Sequence, residues 1–345
     1  MKLSIIIPYD RYKNYLHDCL ESISQQQITD YETLLVVNDE NDLDEDLKAY
    51  DINMKVISAG LNSNVAKKRN IGINNARGEY IYFIDCDDYL MNYTLPLLIE
   101  KADQENLDLV TGIRKFTWFK KKVFETMGDE KNDELNLKDK DHDRDNKFIN
   151  KIYDENNFDE YKTDILIRTR HALRNISVLN ILIRSKLIKE HEIRFNEEFF
   201  YYTDAPFVVQ LLNYAKSFDR IDEAVFVKRK HNDPINSPAL SQIKDPDNKF
   251  NEFIKAHNYC TMLVAPDSYI RYYLDAKMVS YYTKFFVKKL RRSKDDIWRE
   301  ERFKVMSNVL QNIRPELLNK SSRYRCKLIK AAINNDIELA KKTVS

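Results

Sequence analysis

The chain has little of the residues that interrupt regular structure, with five glycines and eight prolines among 345 residues. That is roughly a third of the ordinary share of about 12%, and it excludes collagen-like repeats and low-complexity linkers. Cysteine is scarce too. Cys19, Cys86, Cys260 and Cys326 lie far apart without C-x-x-C or C-x-x-H spacing, so neither a zinc site nor a disulfide framework is expected. No apolar run approaches the ~18 residues that span a bilayer, and the apolar stretch Leu3 to Ile7 is too short for a secretory signal. Nor is there an excess of charge, since 56 basic and 55 acidic side chains leave a net +1. That balance excludes attachment to nucleic acid through overall charge. These absences describe a soluble intracellular protein, expected in the cytoplasm. What is abundant is core-forming material, 43% of the residues, over a length that suits about two domains.

Residues 1–110 alternate short apolar runs with helical patterns. Leu3 to Ile7, stopped by Pro8, reads as a strand buried on both faces, and Thr33 to Val37, ending in Asn38-Asp39, reads as a second. Met54 to Ile57 is a third strand, and Tyr80 to Ile84 is a fourth that runs straight into Asp85-Cys86-Asp87-Asp88. Leu16, Leu20 and Ile23 recur at helical spacing. Val65 to Ala76 is a helix with Arg77-Gly78 as its expected C-cap. Such alternation predicts an α/β fold with a mostly parallel sheet, whose ligands bind beyond the carboxyl ends of the strands. Asp39 and the aspartate cluster both fall there.

A charged insertion at about 128–146 reads as a solvated loop. Apolar periodicity resumes over 165–188, a helix is expected over 199–214 with its entrance near Thr203-Asp204, and Val225 to Val227 reads as a strand before a polar loop. The remaining signal is helical only. Pro266-Asp267 opens a helix whose stripe of Ile270, Leu274, Met278, Tyr281, Tyr282 and Phe285 is core or subunit contact, and further helices are expected over 298–313 and 324–342. The expected domains are a catalytic one over 1–245 and a small all-helical one over 246–345, a candidate for homo-oligomer contacts.

The carboxylates of Asp85 and Asp87, at the end of a buried strand, repel one another unless a cation lies among them. A hard divalent ion, Mn²⁺ or Mg²⁺, meets that need and takes its other ligands from phosphates and water. Asp39 can accept a hydrogen bond from a nucleobase or ribose, or cap a turn. Arg69 has the guanidinium geometry for a diphosphate, or belongs to an exposed basic helix face.

Taken in order, Ser4-Ile5-Ile6-Ile7-Pro8-Tyr9, Val36-Val37-Asn38-Asp39, Lys68-Arg69-Asn70-Ile71-Gly72 and Tyr82-Phe83-Ile84-Asp85-Cys86-Asp87-Asp88 resemble the nucleotide-binding half of family 2 glycosyltransferases, whose fold is called GT-A. The resemblance covers residues 1–112. It implies that Pro8 and Tyr9 flank a uracil pocket, that Asp39 binds the base, and that Arg69 holds the nucleotide. It also implies that Asp85 faces the ribose or the metal shell and that Asp87 ligates the metal. Asn38 stands where the family often has a second Asp. The run Asn180 to Ile188, followed by Ile193 to Glu198, resembles the family's acceptor-side segment. The Asp that follows it in the family is the catalytic base, which assigns that role to Asp204, here preceded by Thr203 rather than Glu. Arg229 and His231 lie where the family often has a loop that closes over the diphosphate; the plainer reading is a solvated basic loop.

The resemblance implies an inverting, metal-dependent transfer from a UDP-sugar, with UDP-N-acetylglucosamine a candidate donor. Processive membrane synthases are disfavoured because their QxxRW motif and membrane spans are missing. The layout is similar to the Gram-positive wall teichoic acid glycosyltransferases. It implies a poly(ribitol phosphate) or poly(glycerol phosphate) acceptor, and peripheral contact with the inner face of the cell membrane. Lys288, Lys289, Arg291 and Arg292 suit such a polyanion, or form a solvated helix end. A capsular or lipid-linked oligosaccharide acceptor, and an inactive GT-A-shaped binding module, remain the alternatives. A nucleotidyltransferase would need a Gly-rich phosphate loop near the N-terminus, and no Gly precedes Gly60.

Overall fold

The computed structural model describes residues 1–10, 13–39, 43, 50–126, 177–233, 235–236, 238–292, 294–314, 317 and 323–344. The charged insertion at 128–146 and the first part of the 165–188 apolar stretch lie outside these residues.

Eight strands form one sheet: β1 (Leu3–Pro8), β2 (Tyr31–Val37), β3 (Met54–Ser58), β4 (Tyr80–Phe83), β5 (Tyr89–Leu90), β6 (Leu109–Thr117), β7 (Ile181–Arg184) and β8 (Phe218–Arg229). Their order is β3-β2-β1-β4-β7-β6-β8-β5. The first four are joined in parallel. β1 and β2 are buried at every position, as strands covered on both faces must be. Beyond β4 the sheet is mixed, because β7 runs antiparallel to both β4 and β6 while β8 runs parallel to β6. Two reversals restore the original direction. β6 and β8 therefore point the same way as β4, and the carboxyl end of β8 arrives at the edge of the sheet where β1, β2 and β4 also end. This topology brings residues near 230 beside residues 85–88.

The junction between helix Val65–Asn75 and β4 shows why the chain needs glycine at one place. The helix stops at Asn75, and its C-cap Ala76 is extended (φ −71, ψ 129), so Gly78 does not cap it as expected. Gly78 serves close approach instead. A Cβ there would meet the backbone of β1, 2.4 Å from Ser4 N and 2.6 Å from Leu3 C. Beside it the buried Glu32 accepts hydrogen bonds from Ser4 Oγ (2.7 Å), the Arg77 backbone N (2.8 Å), Arg77 Nε (3.0 Å) and Arg77 Nη2 (2.8 Å). One carboxylate thus ties β1, β2 and the entrance of β4 together.

The described residues divide into two compact units, one running up to Ala256 and the other from His257 onward. The change of unit falls within helix Pro246–Met262. The second unit is helical. Helix Tyr269–Tyr281 is capped by Ser268, whose side chain accepts from Arg271 N, so it begins just after the Pro266-Asp267 pair. Ile270, Leu274, Met278 and Tyr282 of the predicted stripe are buried, while Lys288 and Lys289 are exposed. The helix expected over 324–342 is two, Arg323–Ile333 and Ile337–Val344, broken where Asn335 takes the left-handed conformation (φ 54). Among the described residues no helix is long and apolar enough to cross a membrane.

Removing the Glu32 carboxylate leaves the buried Ser4 hydroxyl without its acceptor and the Arg77 guanidinium without its partner, while the Arg77 backbone N–H keeps Ser4 Oγ. Glu32→Ala should therefore lower stability by about 2 kcal/mol, the scale of charge-assisted hydrogen bonds. Urea unfolding at neutral pH measures it, and an unchanged midpoint would show that the junction is held by packing alone.

Candidate active site

The segment after β4 turns at once, with Asp88 N donating to Asp85 O (3.0 Å). The turn gathers the carboxylates of Asp85, Asp87 and Asp88, whose ligand atoms all lie within 4.8 Å of one another. Asp88 is fully buried and Asp87 nearly so. Burial raises Asp88 to about 8; Lys228 pulls the other way, and Asp87 and Asp85 add to the rise. An all-oxygen set of this kind suits a hard divalent ion, so the residues present fit Mn²⁺ or Mg²⁺.

Arg69 occupies the centre. It lies on the inward face of helix Val65–Asn75, which is unusual in burying Lys68, Arg69 and Asn70 together with Ala66 and Ile73. The guanidinium donates from Nη2 to Asp85 Oδ1 (2.8 Å) and from Nη1 to Asp204 Oδ1 (2.6 Å). It also lies 5.2 Å from the ring of Phe195 and 6.0 Å from that of Phe83, and Phe195 is in turn stacked on Phe207 at 3.8 Å. Asn70, next on the same helix, holds the acceptor-side segment through Nδ2 to Phe195 O and Phe195 N to Oδ1, both 2.9 Å. Asn64 caps the helix by accepting from Lys67 N and donates to Glu197 O (2.6 Å).

Asp204 opens helix Asp204–Tyr214. Its second oxygen accepts from Ser177 Oγ (2.9 Å) and Val178 N (3.1 Å). Burial opposes its charge, but Arg69 together with the Ser177 and Val178 donors outweighs burial and holds Asp204 below the usual carboxylate range.

The end of β8 closes the other side. His231 Nε2 lies 2.8 Å from Asp87 Oδ2, its ring stacked on Tyr15 with centroids 4.3 Å apart. Burial works against the charge of Asp87, and the His231 hydrogen bond and Lys228 turn the balance, lowering it. Lys228 Nζ lies 3.3 Å from Asp88 Oδ2 and 3.5 Å from Asp85 Oδ2. The Arg229 backbone N donates to Asp88 Oδ1 (2.8 Å), while its guanidinium is buried between the rings of Tyr15 and Tyr89 and 2.7 Å from Asp18 Oδ2.

Of the residues singled out from sequence, Arg69, Asp85 and Asp204 form one chain of ion pairs, and Asp87 joins His231 beside it. Pro8 and Tyr9 end β1, with Tyr9 N donating to Val36 O (2.8 Å), and half-buried Asp39 follows β2. Sequence reasoning passed over Lys68, whose buried ammonium donates to Tyr9 O (2.7 Å), and it passed over Ser177 and Lys228. The signal for Lys68 was a basic triplet, Lys67-Lys68-Arg69, in a helix with too few apolar residues to fill its inward face. Ser177 and Lys228 had no local signal, because sheet topology alone brings them in.

Residues 4–172 match the family described as glycosyl transferase family 2, and the chain carries a domain of that family. It is 30% identical over 267 residues to the teichoic acid poly(glycerol phosphate) polymerase of Staphylococcus epidermidis, covering 74% of this chain and 33% of that protein. It is also 30% identical over 116 residues to the poly(ribitol-phosphate) β-N-acetylglucosaminyltransferase TarS of Staphylococcus aureus, covering 32% of this chain and 20% of that protein. The alignments thus span a third or less of these curated relatives. In structure, the chain is similar to S. aureus TarS 1–349 in complex with UDP-GlcNAc, with TM-score 0.71, 15% identity, and coverage of 99% of this chain and 90% of that one. At that identity the likeness shows the fold: mixed α/β of GT-A type followed by helices.

Arg69→Met should leave Asp204 without its cationic partner and Asp85 with Lys228 alone, and lower stability at neutral pH by about 3 kcal/mol, the cost of breaking a buried pair. Asp204 is depressed in the folded protein, so its contribution is complete above the ordinary carboxylate pKa of about 3.9 and fades as pH falls through the folded value. The gap between wild type and variant should therefore narrow on acidification in denaturant unfolding. A gap independent of pH would place the loss in packing on Phe195 instead.

Proposed function

We propose that this chain is an inverting, metal-dependent glycosyltransferase that moves a sugar from a UDP-sugar to a hydroxyl of a cell-surface polymer of the wall teichoic acid kind. The observation that carries the reading is Arg69, which joins Asp85 of the strand-end acidic cluster to Asp204 at the head of the acceptor-side helix. An acidic cluster and a held carboxylate are thus joined through one guanidinium. That is the arrangement needed for displacement of a diphosphate with proton removal from the incoming hydroxyl.

In this reading Pro8, Tyr9 and Asp39 receive the uracil, Arg69 directs positive charge at the diphosphate, and His231 offers it a ring N–H donor. Arg229 supports the site by anchoring Asp88 through its backbone N–H. Asp85, Asp87 and Asp88 would hold Mn²⁺ or Mg²⁺, which when bound supplies charge stabilisation to the leaving group. Asp204 stays a carboxylate at neutral pH and takes the proton of the acceptor hydroxyl as that oxygen attacks the anomeric carbon. The bond to the diphosphate oxygen breaks, its electron pair leaves on UDP, and attack from the opposite face inverts the carbon. Exposed Lys230 lies 5.8 Å from the ring of Phe116 and 5.6 Å from that of half-exposed Trp118, a cationic and aromatic surface suited to a phosphate-bearing polyol chain. The names of the relatives support UDP-N-acetylglucosamine as the first donor to test, with poly(glycerol phosphate) and poly(ribitol phosphate) as the first acceptors.

UDP release from a panel of UDP-sugars with Mn²⁺, with and without each polymer, tests the reading. One sugar should be released faster when one polymer is present. Binding of UDP-sugar without stimulation by either polymer would leave the donor half standing and remove the teichoic acid acceptor. Two variants separate the roles. Asp87→Ala should abolish Mn²⁺-dependent UDP binding. Asp204→Asn should keep UDP binding and lose at least about 10²-fold in turnover, the low end of general-base contributions; wild-type turnover there removes Asp204 as the base.

A further inference from the structure

Every carboxylate of the acidic cluster already has a cationic or N–H partner from the chain itself. Asp85 has Arg69 on one oxygen and Lys228 on the other, Asp87 has His231, and Asp88 has Lys228 with the Arg229 backbone N–H. Lys228 stands apart from the rest. Arg69 and His231 reach the rim of the cluster from single carboxylates, whereas the Lys228 ammonium lies between two, 3.5 Å from Asp85 and 3.3 Å from Asp88. Its backbone is fixed there, because β8 pairs with β6 in the register Phe116↔Lys228 and Thr117↔Arg229 and with β5 in the register Tyr89↔Val227. Its side chain is not fixed in the same way. It is a four-carbon stem, partly exposed at 27%, that can turn without moving the strand.

A lysine ammonium and a divalent ion among the same oxygens repel one another at close range, so the two cannot share the space. We infer that Lys228 is a tethered counter-ion of the donor site: its ammonium and the divalent ion are alternative occupants between Asp85 and Asp88, and the donor diphosphate is the partner that Lys228 takes when the ion enters. The inference rests on the metal-dependent reading above. It adds that Lys228 carries part of the coupling between ion and diphosphate, beyond the direct ligation of the ion by phosphate oxygens. An ion entering alone must displace Lys228 into solvent. An ion entering with a nucleoside diphosphate moves it from two carboxylates onto phosphate oxygens. Ion and diphosphate therefore strengthen each other's binding, by the same factor in each direction.

The test is Mn²⁺ binding, followed by loss of the free-ion signal in electron paramagnetic resonance, with and without UDP, on the full chain. Wild type should bind Mn²⁺ weakly alone and about tenfold or more tightly with UDP. Lys228→Met should bind Mn²⁺ alone about tenfold or more tightly than wild type, and UDP should then add a smaller factor than it adds to wild type, the part due to direct phosphate ligation. Lys228→Arg, which keeps a tethered cation, should bind Mn²⁺ alone no better than wild type. Lys228→Met binding Mn²⁺ alone no tighter than wild type overturns the counter-ion role while leaving the metal reading intact. Should that variant fail to fold by circular dichroism, Lys228→Gln takes its place, and Mn²⁺ binding alone no tighter than wild type overturns the role in the same way. No Mn²⁺ binding by wild type even with UDP overturns both this inference and the metal-dependent reading beneath it.

Discussion

The buried guanidinium of Arg69 is the constraint on which the rest of the site depends. A charge so enclosed is tolerated only with partners close enough to replace water, and Arg69 has two, on opposite sides. Asp85 comes from the end of β4, and Asp204 from a helix more than a hundred residues later. The pair of bonds is therefore a long-range staple as well as a charge balance. It requires helix Val65–Asn75 to turn polar residues inward, which the helix does with Lys68 and Asn70 as well. Asn70 and Asn64 then clasp the Phe195 to Glu197 segment through its backbone. The same helix that meets the acidic cluster thus fixes the segment leading to Asp204, and the relative position of cluster and segment becomes a property of one element.

How much of this was legible in the sequence depended on how local each feature was. β1, β2 and β4 are apolar runs ended by Pro8, Asn38 and Asp85, and their parallel pairing follows from the helices between them. The cluster at Asp85 to Asp88 could be placed because it directly follows its strand. The assignment of Gly78 to a helix cap was wrong for an instructive reason. Glycine after a helix is most often there for its backbone conformation, but here the neighbouring strand leaves no room for a Cβ, and nothing next to Gly78 in sequence announces that. Likewise the mixed half of the sheet was not visible, since β7 has only four residues and its direction is set by partners β4 and β6. Lys228 and Ser177 entered the site by that same route.

The two reversals at β7 have a consequence for how the molecule divides its work. They return β6 and β8 to the direction of β4, so one edge of the sheet collects chain ends from two distant stretches of sequence. Polar groups that need each other are supplied one from each stretch: Asp87 with His231, Asp88 with Lys228 and the Arg229 backbone, Asp85 with Lys228. Neither stretch could bury its share alone. Burial first, and then the neighbouring carboxylates, raise Asp88, and isolated cations at the end of β8 would have no reason to be enclosed. Forming the mixed half of the sheet also neutralises the acidic cluster, which is why the polar residues here are fixed by strands and helix ends, while Trp118 and Lys230 lie just past the strands, where substitution leaves that charge balance untouched.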